Sequence, residues 1–154
     1  PLTELICRIR KDWPNAAIVV FTDENAVSDP TDRSSGRLQR YDEAEFAPWR
    51  VMRANALQDV HRLCHGQMQV FTYVHHGVPC SRIDKVYADW EAVYWGDGQK
   101  GVKIATTTAL EPLSSDHRTI FTQLKGPFTP RSKRTSGGVV IISSSVGPCR
   151  LTLS

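Results

Sequence analysis

Apolar positions in this chain come in short runs divided by polar loops, and the period of each run indicates its element. Residues 16–21 form a continuous apolar run rich in β-branched side chains, which predicts a buried strand. It stops at Thr22-Asp23-Glu24-Asn25, and residues 28–36, dense in Ser, Asp, Pro and Arg, predict a loop. Residues 38–65 carry helical spacing, with Leu57, Val60 and Cys64 three or four apart and a break at Pro48. A strand is predicted over 69–74, a turn over 76–79, and a further strand over 82–87. Alternation in that last strand sets Ile83, Lys85 and Tyr87 opposite Arg82, Asp84 and Val86. A short helix over 89–94 and strands over 102–108 and 118–124 follow, with a polar turn at 114–117. Beyond Gly126 the residues are Pro, Gly, Ser and basic, typical of a linker. Residues 139–146 have strand composition but follow the domain's natural end. The expected organisation is one domain over 1–125 and a flexible basic tail over 126–154, with no internal repeat.

Composition narrows the class. The 154 residues, 40% hydrophobic and 23% charged, suit one modest globular domain. No apolar run nears the roughly 20 residues needed to cross a bilayer, and the first twelve residues alternate charge and apolarity instead of forming a leader-like apolar core. No membrane partner is expected. The start at Pro1 suggests a processed product or a piece of a longer reading frame. Net charge is +3, concentrated in Lys125, Arg131, Lys133 and Arg134 and in Arg33, Arg37 and Arg40. Such clusters suit a polyanionic partner or simply a solvated surface, and both readings stay open. Cys7, Cys64, Cys80 and Cys149 lack metal-finger spacing, Cys64-His65 with Cys80 included. Buried free thiols in a reducing compartment are expected, hence an intracellular protein, nuclear or cytoplasmic, not secreted.

Candidate chemistry lies in three polar clusters at predicted strand ends: Asp23-Glu24-Asn25, Ser81-Arg82-Ile83-Asp84 and Ser115-Asp116-His117. Carboxylates offer oxygens to a hard cation, and a His held by a carboxylate can exchange a proton with a nucleophile or leaving group. Each cluster also has a plain reading. Asp23 and Asn25 can cap a turn, Asp84 can pair with Arg82 or Lys85, and Asp116 can cap a turn with His117 in a loop.

The order of these clusters resembles the endonuclease/exonuclease/phosphatase superfamily, the DNase I-like fold, as carried by LINE-type retrotransposons. Residues 18–27, with Asp23-Glu24-Asn25, are similar to its strand followed by Gly-Asp-Phe-Asn. Asp29-Pro30-Thr31-Asp32-Arg33 resembles an Asp-Pro-x-Asp-Arg loop, Leu57-Gln58-Asp59-Val60-His61-Arg62 a Leu-x-Asp-x-x-Arg helix end, and Phe71-Thr72-Tyr73 a Phe-Thr-Trp segment. Ser81-Arg82-Ile83-Asp84-Lys85-Val86-Tyr87 resembles Ser-Arg-Ile-Asp-Arg-Ile-Tyr, and Ser115-Asp116-His117 the terminal Ser-Asp-His. The resemblance spans roughly residues 16–124.

The resemblance implies an α+β fold that is half of a four-layer α/β/β/α sandwich: one mainly antiparallel sheet with helices, its inner apolar face uncovered and favouring self-association. It implies divalent-metal-dependent phosphodiester hydrolysis on nucleic acid, DNA over RNA, with magnesium or manganese as cofactor. Asp23 and Asn25 would bind the attacking water and the scissile phosphate, Asp116 would stand at the metal side, and His117 would contact the phosphate, oriented by Asp84. Asp59 and Arg62 would form an internal ion pair near a helix end, and Tyr73 would pack. Two departures stand out: Thr22 in place of Gly, where a positive φ is expected, and Glu24 in place of Phe, costly if buried without a partner. The family's first half, with its principal metal-binding Glu, has no counterpart before Ile18, so an incomplete nuclease is expected. The alternative is an inactive retroelement remnant with at most weak nucleic-acid binding.

Overall fold

The apolar run at 16–21 becomes β1 (Ala17–Asp23), the strand around which the chain is organised. The computed structural model describes residues 2–14, 16–44, 47–95, 99–100, 102–105, 116–118, 120–124 and 139–144. It is a mixed α+β fold with mostly antiparallel pairings and short helices. β1 pairs antiparallel with β5 (Asp84–Ala88), and β5 with β2 (Gln58–Asp59). On its other edge β1 pairs in parallel with β10 (Val139–Ser144), from Ala17 opposite Val139 to Thr22 opposite Ser144. A boundary at 125 would leave β10 in a tail, yet it is an edge strand of the main sheet. The expected mobility of residues 126–138 falls outside the described residues.

Both faces of β1 are covered, which is why its sequence does not alternate. Ile18 and Val20 pack on Ile6 and Ile9 of α1 (Leu2–Asp12), with Met52 of α2 (Pro48–Ala54), Leu57 and Tyr87. Ala17 and Val19 pack on Val60 of α3 (Val60–His65), Val86, Ala88, and Ala92 and Val93 of α4 (Trp90–Val93). The uncovered apolar face expected at the main sheet is therefore absent at β1. Helix α1 supplies much of that cover, through Leu2, Leu5, Ile6 and Ile9 at helical spacing. Burying Ile6 and Ile9 contributes roughly 1.5–3 kcal/mol each.

Of the helical stretch predicted over 38–65, only α2 and α3 are helices; residues 38–44 are loop and turn, and β2 lies between the helices. Pro48 starts α2 at its first turn, where its missing N–H costs nothing, and Asp59 caps α3 through the Arg62 N–H. β3 (Tyr73–His75) and β4 (Val78–Ser81) form a hairpin. Its two-residue turn, His76-Gly77, has both φ angles positive, the geometry that matches strand twist. β6 (Tyr94–Trp95) pairs with β7 (Gln99–Lys100), and β8 (Val102–Ala105) with β9 (Phe121–Leu124). Among the described residues no helix is long and apolar enough to cross a membrane. Cys7 and Cys80 are free thiols; Cys7 is exposed, not buried as expected, because it points away from the α1 face that holds Ile6 and Ile9.

Candidate functional site

The register of β1 and β5 sets Asp23 directly opposite Asp84 at the end of the sheet. Two carboxylates facing each other repel unless a cation or a donor lies between them. The donor comes from residues 116–118, which dock along β3. The Val74 N–H donates to the Asp116 carbonyl at 2.7 Å, and the Arg118 N–H to the Thr72 carbonyl at 2.6 Å. This brings His117 Nδ1 to 3.0 Å from Asp84 Oδ2 and 3.1 Å from Oδ1. The Tyr73 ring meets the imidazole edge-on at 5.5 Å, so it is part of the site's wall as well as packing.

Thr72, 1% exposed, ties the two halves together. Its hydroxyl accepts from the Ile83 and Asp84 N–H groups at 3.1 and 3.0 Å, while its carbonyl holds Arg118. The sequence reading missed it as a site residue, since its partners lie 11, 12 and 46 positions away; the only signal was its place in Phe71-Thr72-Tyr73.

Charge is shared unevenly in the dyad. Burial disfavours the imidazolium, but the hydrogen bond and charge of Asp84, with Asp23 and Asp116, outweigh it and raise the His117 pKa above the ordinary histidine value. Burial also raises the Asp84 pKa, against the opposing hydrogen bonds of Thr72 and His117. The two shifts share a sign for different reasons: enclosure prevails at Asp84, with 20% of its side chain exposed, and the surrounding carboxylates prevail at His117, with 32% exposed.

Asp23, Asp84 and His117 each offer a ligand atom within 4.8 Å of the others, a set able to hold a cation. Asp116, the residue expected on the metal side, stands outside that set among the described residues. Its carboxylate is 60% exposed and 3.9 Å from His117 Nε2, beyond hydrogen-bond range. Asn25 is exposed in the left-handed region at φ 52°, which Asn tolerates, and its N–H reaches Asp23 Oδ1 at 3.3 Å. The positive φ expected at position 22 thus falls at position 25, and Thr22 stays inside β1. Asn25, Asp116, His117, Tyr73, His75 and Tyr41 line one open cleft.

Two buried charge systems hold the frame. Arg82 donates to Asp32 through Nε and Nη2 at 2.9 Å each, and to Asp59 through Nη2 at 2.5 Å. Arg62 also bonds Asp32. The expected Asp59–Arg62 ion pair is therefore re-partnered: the Asp59 side chain takes the Arg62 backbone N–H, and the guanidinium turns to Asp32. Asp59 remains ionised at lower pH than usual; burial opposes this, but the Arg82 charge and hydrogen bond prevail. On the opposite face of β5, Glu24 is buried, with Oε2 2.9 Å from Lys85 Nζ and 3.2 Å from the Tyr87 hydroxyl. The carboxylate at the position where the resemblance expects Phe is thus ion-paired, though Glu24 Oε1 and Lys85 Nζ make no hydrogen bond.

No protein-family model matches the chain, and no curated protein does.

Proposed function

We propose that this chain carries the phosphate-handling end of a divalent-metal phosphodiesterase acting on nucleic acid, built as half of a DNase I-like sandwich. The observation that carries the reading is the Asp84–His117 dyad facing Asp23 across two paired strands. Asp84 occupies Nδ1, so proton exchange runs through Nε2, on the cleft side. Raised basicity favours His117 as imidazolium, the form that donates to a phosphate oxygen. Asp23 would orient the attacking water and the Asn25 amide would donate to a phosphate oxygen. Magnesium or manganese, held by the Asp23 and Asp84 carboxylates, would polarise the phosphoryl group and acidify the water. Two carboxylate ligands suit magnesium and manganese alike, since both take oxygen. Asp116 would reach the cation through water.

Two carboxylates leave most of a six-coordinate shell to water or to other groups. Nicking by this chain alone is therefore expected to be weak. The exposure of Asp116 favours a second reading, a catalytically inactive retroelement remnant that binds nucleic acid weakly. Manganese binding followed by electron paramagnetic resonance, with a supercoiled-plasmid nicking assay, separates the two. Manganese uptake lost in Asp23→Asn, with slow nicking lost in His117→Ala, supports the enzyme. Uptake and nicking identical in wild type and both variants would overturn it.

A further inference from the structure

Tyr41 is 48% exposed, yet its base is anchored. Its hydroxyl accepts from Arg33 Nη2 at 2.7 Å, and the guanidinium carbon lies 5.0 Å from the ring centroid. Arg33 is itself buried and gripped by Asp42 in a two-pronged pair, Nε to Oδ2 and Nη2 to Oδ1, both at 2.7 Å. Asp42, 1% exposed, also takes the Val27 and Gln39 N–H groups at 2.8 and 2.7 Å. The loop between β1 and α2 is thus built around a polar core, from which Tyr41 faces solvent. That ring lines the same cleft as Asn25, Tyr73 and His117.

We propose that Tyr41 is a stacking platform for an unpaired nucleobase adjoining the phosphate met by Asn25 and His117; this rests on the phosphodiesterase reading. An exposed aromatic normally samples several rotamers, and a ligand must overcome that freedom. Here the Arg33 hydrogen bond removes it before any ligand arrives. Loop scaffolding accounts for the Arg33–Asp42 pair but leaves the exposed ring unused. Every base has a π-face, so such a platform accepts any sequence. Paired bases inside a duplex show no open face, which makes the ligand a single strand or an extruded nucleotide. Arg37 and Arg40, exposed on the same loop, add cationic charge for its backbone.

The test is fluorescence anisotropy with a labelled oligothymidine strand in calcium, at fixed low salt. Tyr41→Ala should weaken binding about 5- to 100-fold, equivalent to the ~1–3 kcal/mol of one base stack at 1.4 kcal/mol per tenfold. Tyr41→Trp should retain binding, and Tyr41→Phe, which keeps the ring but loses its anchor, should fall between. A strand of abasic residues should bind wild type and Tyr41→Ala alike. Tyr41→Ala within twofold of wild type on oligothymidine, with native circular dichroism, overturns the platform alone. Absence of both oligonucleotide and manganese binding in wild type would instead remove the phosphodiesterase reading beneath it.

Discussion

Thr72→Val replaces a buried hydroxyl by a methyl of nearly equal size, and its consequences are calculable. The hydroxyl accepts two backbone N–H groups, from Ile83 at 3.1 Å and Asp84 at 3.0 Å, in a residue 1% exposed. Water cannot replace it. Each stranded buried donor costs about 1–3 kcal/mol. Partial relaxation and the added apolar surface bring the expected loss to roughly 2–4 kcal/mol. Thr72→Ser keeps the hydroxyl and deletes one methyl, a loss of about 1 kcal/mol. The hydroxyl also lowers the Asp84 pKa against the upward push of burial. Its removal should leave Asp84 a more basic acceptor, with one competing donor fewer, and bring the His117 pKa up. Urea denaturation with matched slopes gives the first quantity, and the imidazole chemical shift against pH gives the second. If Thr72→Val is no less stable than Thr72→Ser, or if His117 titrates as in wild type, Thr72 is filler and not the clamp described.

Asp84→Asn should lower the His117 pKa, leaving Asp23 and Asp116 as its remaining carboxylate neighbours. Because the folded-state value is raised, the wild-type pair's stabilisation is full below the unfolded value of about 6.5 and fades as pH rises through the folded one; an equally steep fade in Asp84→Asn would refute the pairing. Glu24→Gln should cost about 3–5 kcal/mol by stranding Lys85 in the interior, whereas Glu24→Leu with Lys85→Met should be neutral or stabilising. Urea midpoints decide this, and a harmless Glu24→Gln would show that the pair is not buried in solution.

What could be read from the sequence was what is local. The run at 16–21 coincides with most of β1, and the alternation at 82–87 separates Lys85 and Tyr87 from Asp84 and Val86 on β5. Asp23, Asp84 and His117, chosen as polar residues at strand ends, come within 4.8 Å of one another. Helix α1 carried the spacing Leu2, Leu5, Ile6, Ile9 and went unread because its charged residues masked the stripe. What stayed hidden depends on distant partners. Asp32 and Arg82 are 50 positions apart, and Val139 meets Ala17 across the whole chain. A carboxylate's choice between two arginines cannot be read from spacing: Arg62 lies one helical turn from Asp59 yet bonds Asp32.

The two buried charge systems share a consequence for the site. Ion pairs in an interior add little net stability, since desolvation offsets most of their attraction, but breaking one is expensive. Their effect on this fold is therefore positional. Arg82 is fixed two residues before Asp84, Lys85 immediately after it, and Glu24 immediately after Asp23. A one-residue slip between β1 and β5 would turn each side chain to the opposite face. Glu24 would leave Lys85 inside apolar packing, and Asp23 would no longer stand opposite Asp84. Apolar contacts such as Val20 on Tyr87 tolerate small shifts, because one methyl group can replace another. Charged groups 0–5% exposed do not. Glu24 and its Lys85 partner thus act as a register lock beside the dyad, holding the two carboxylates face to face despite their repulsion.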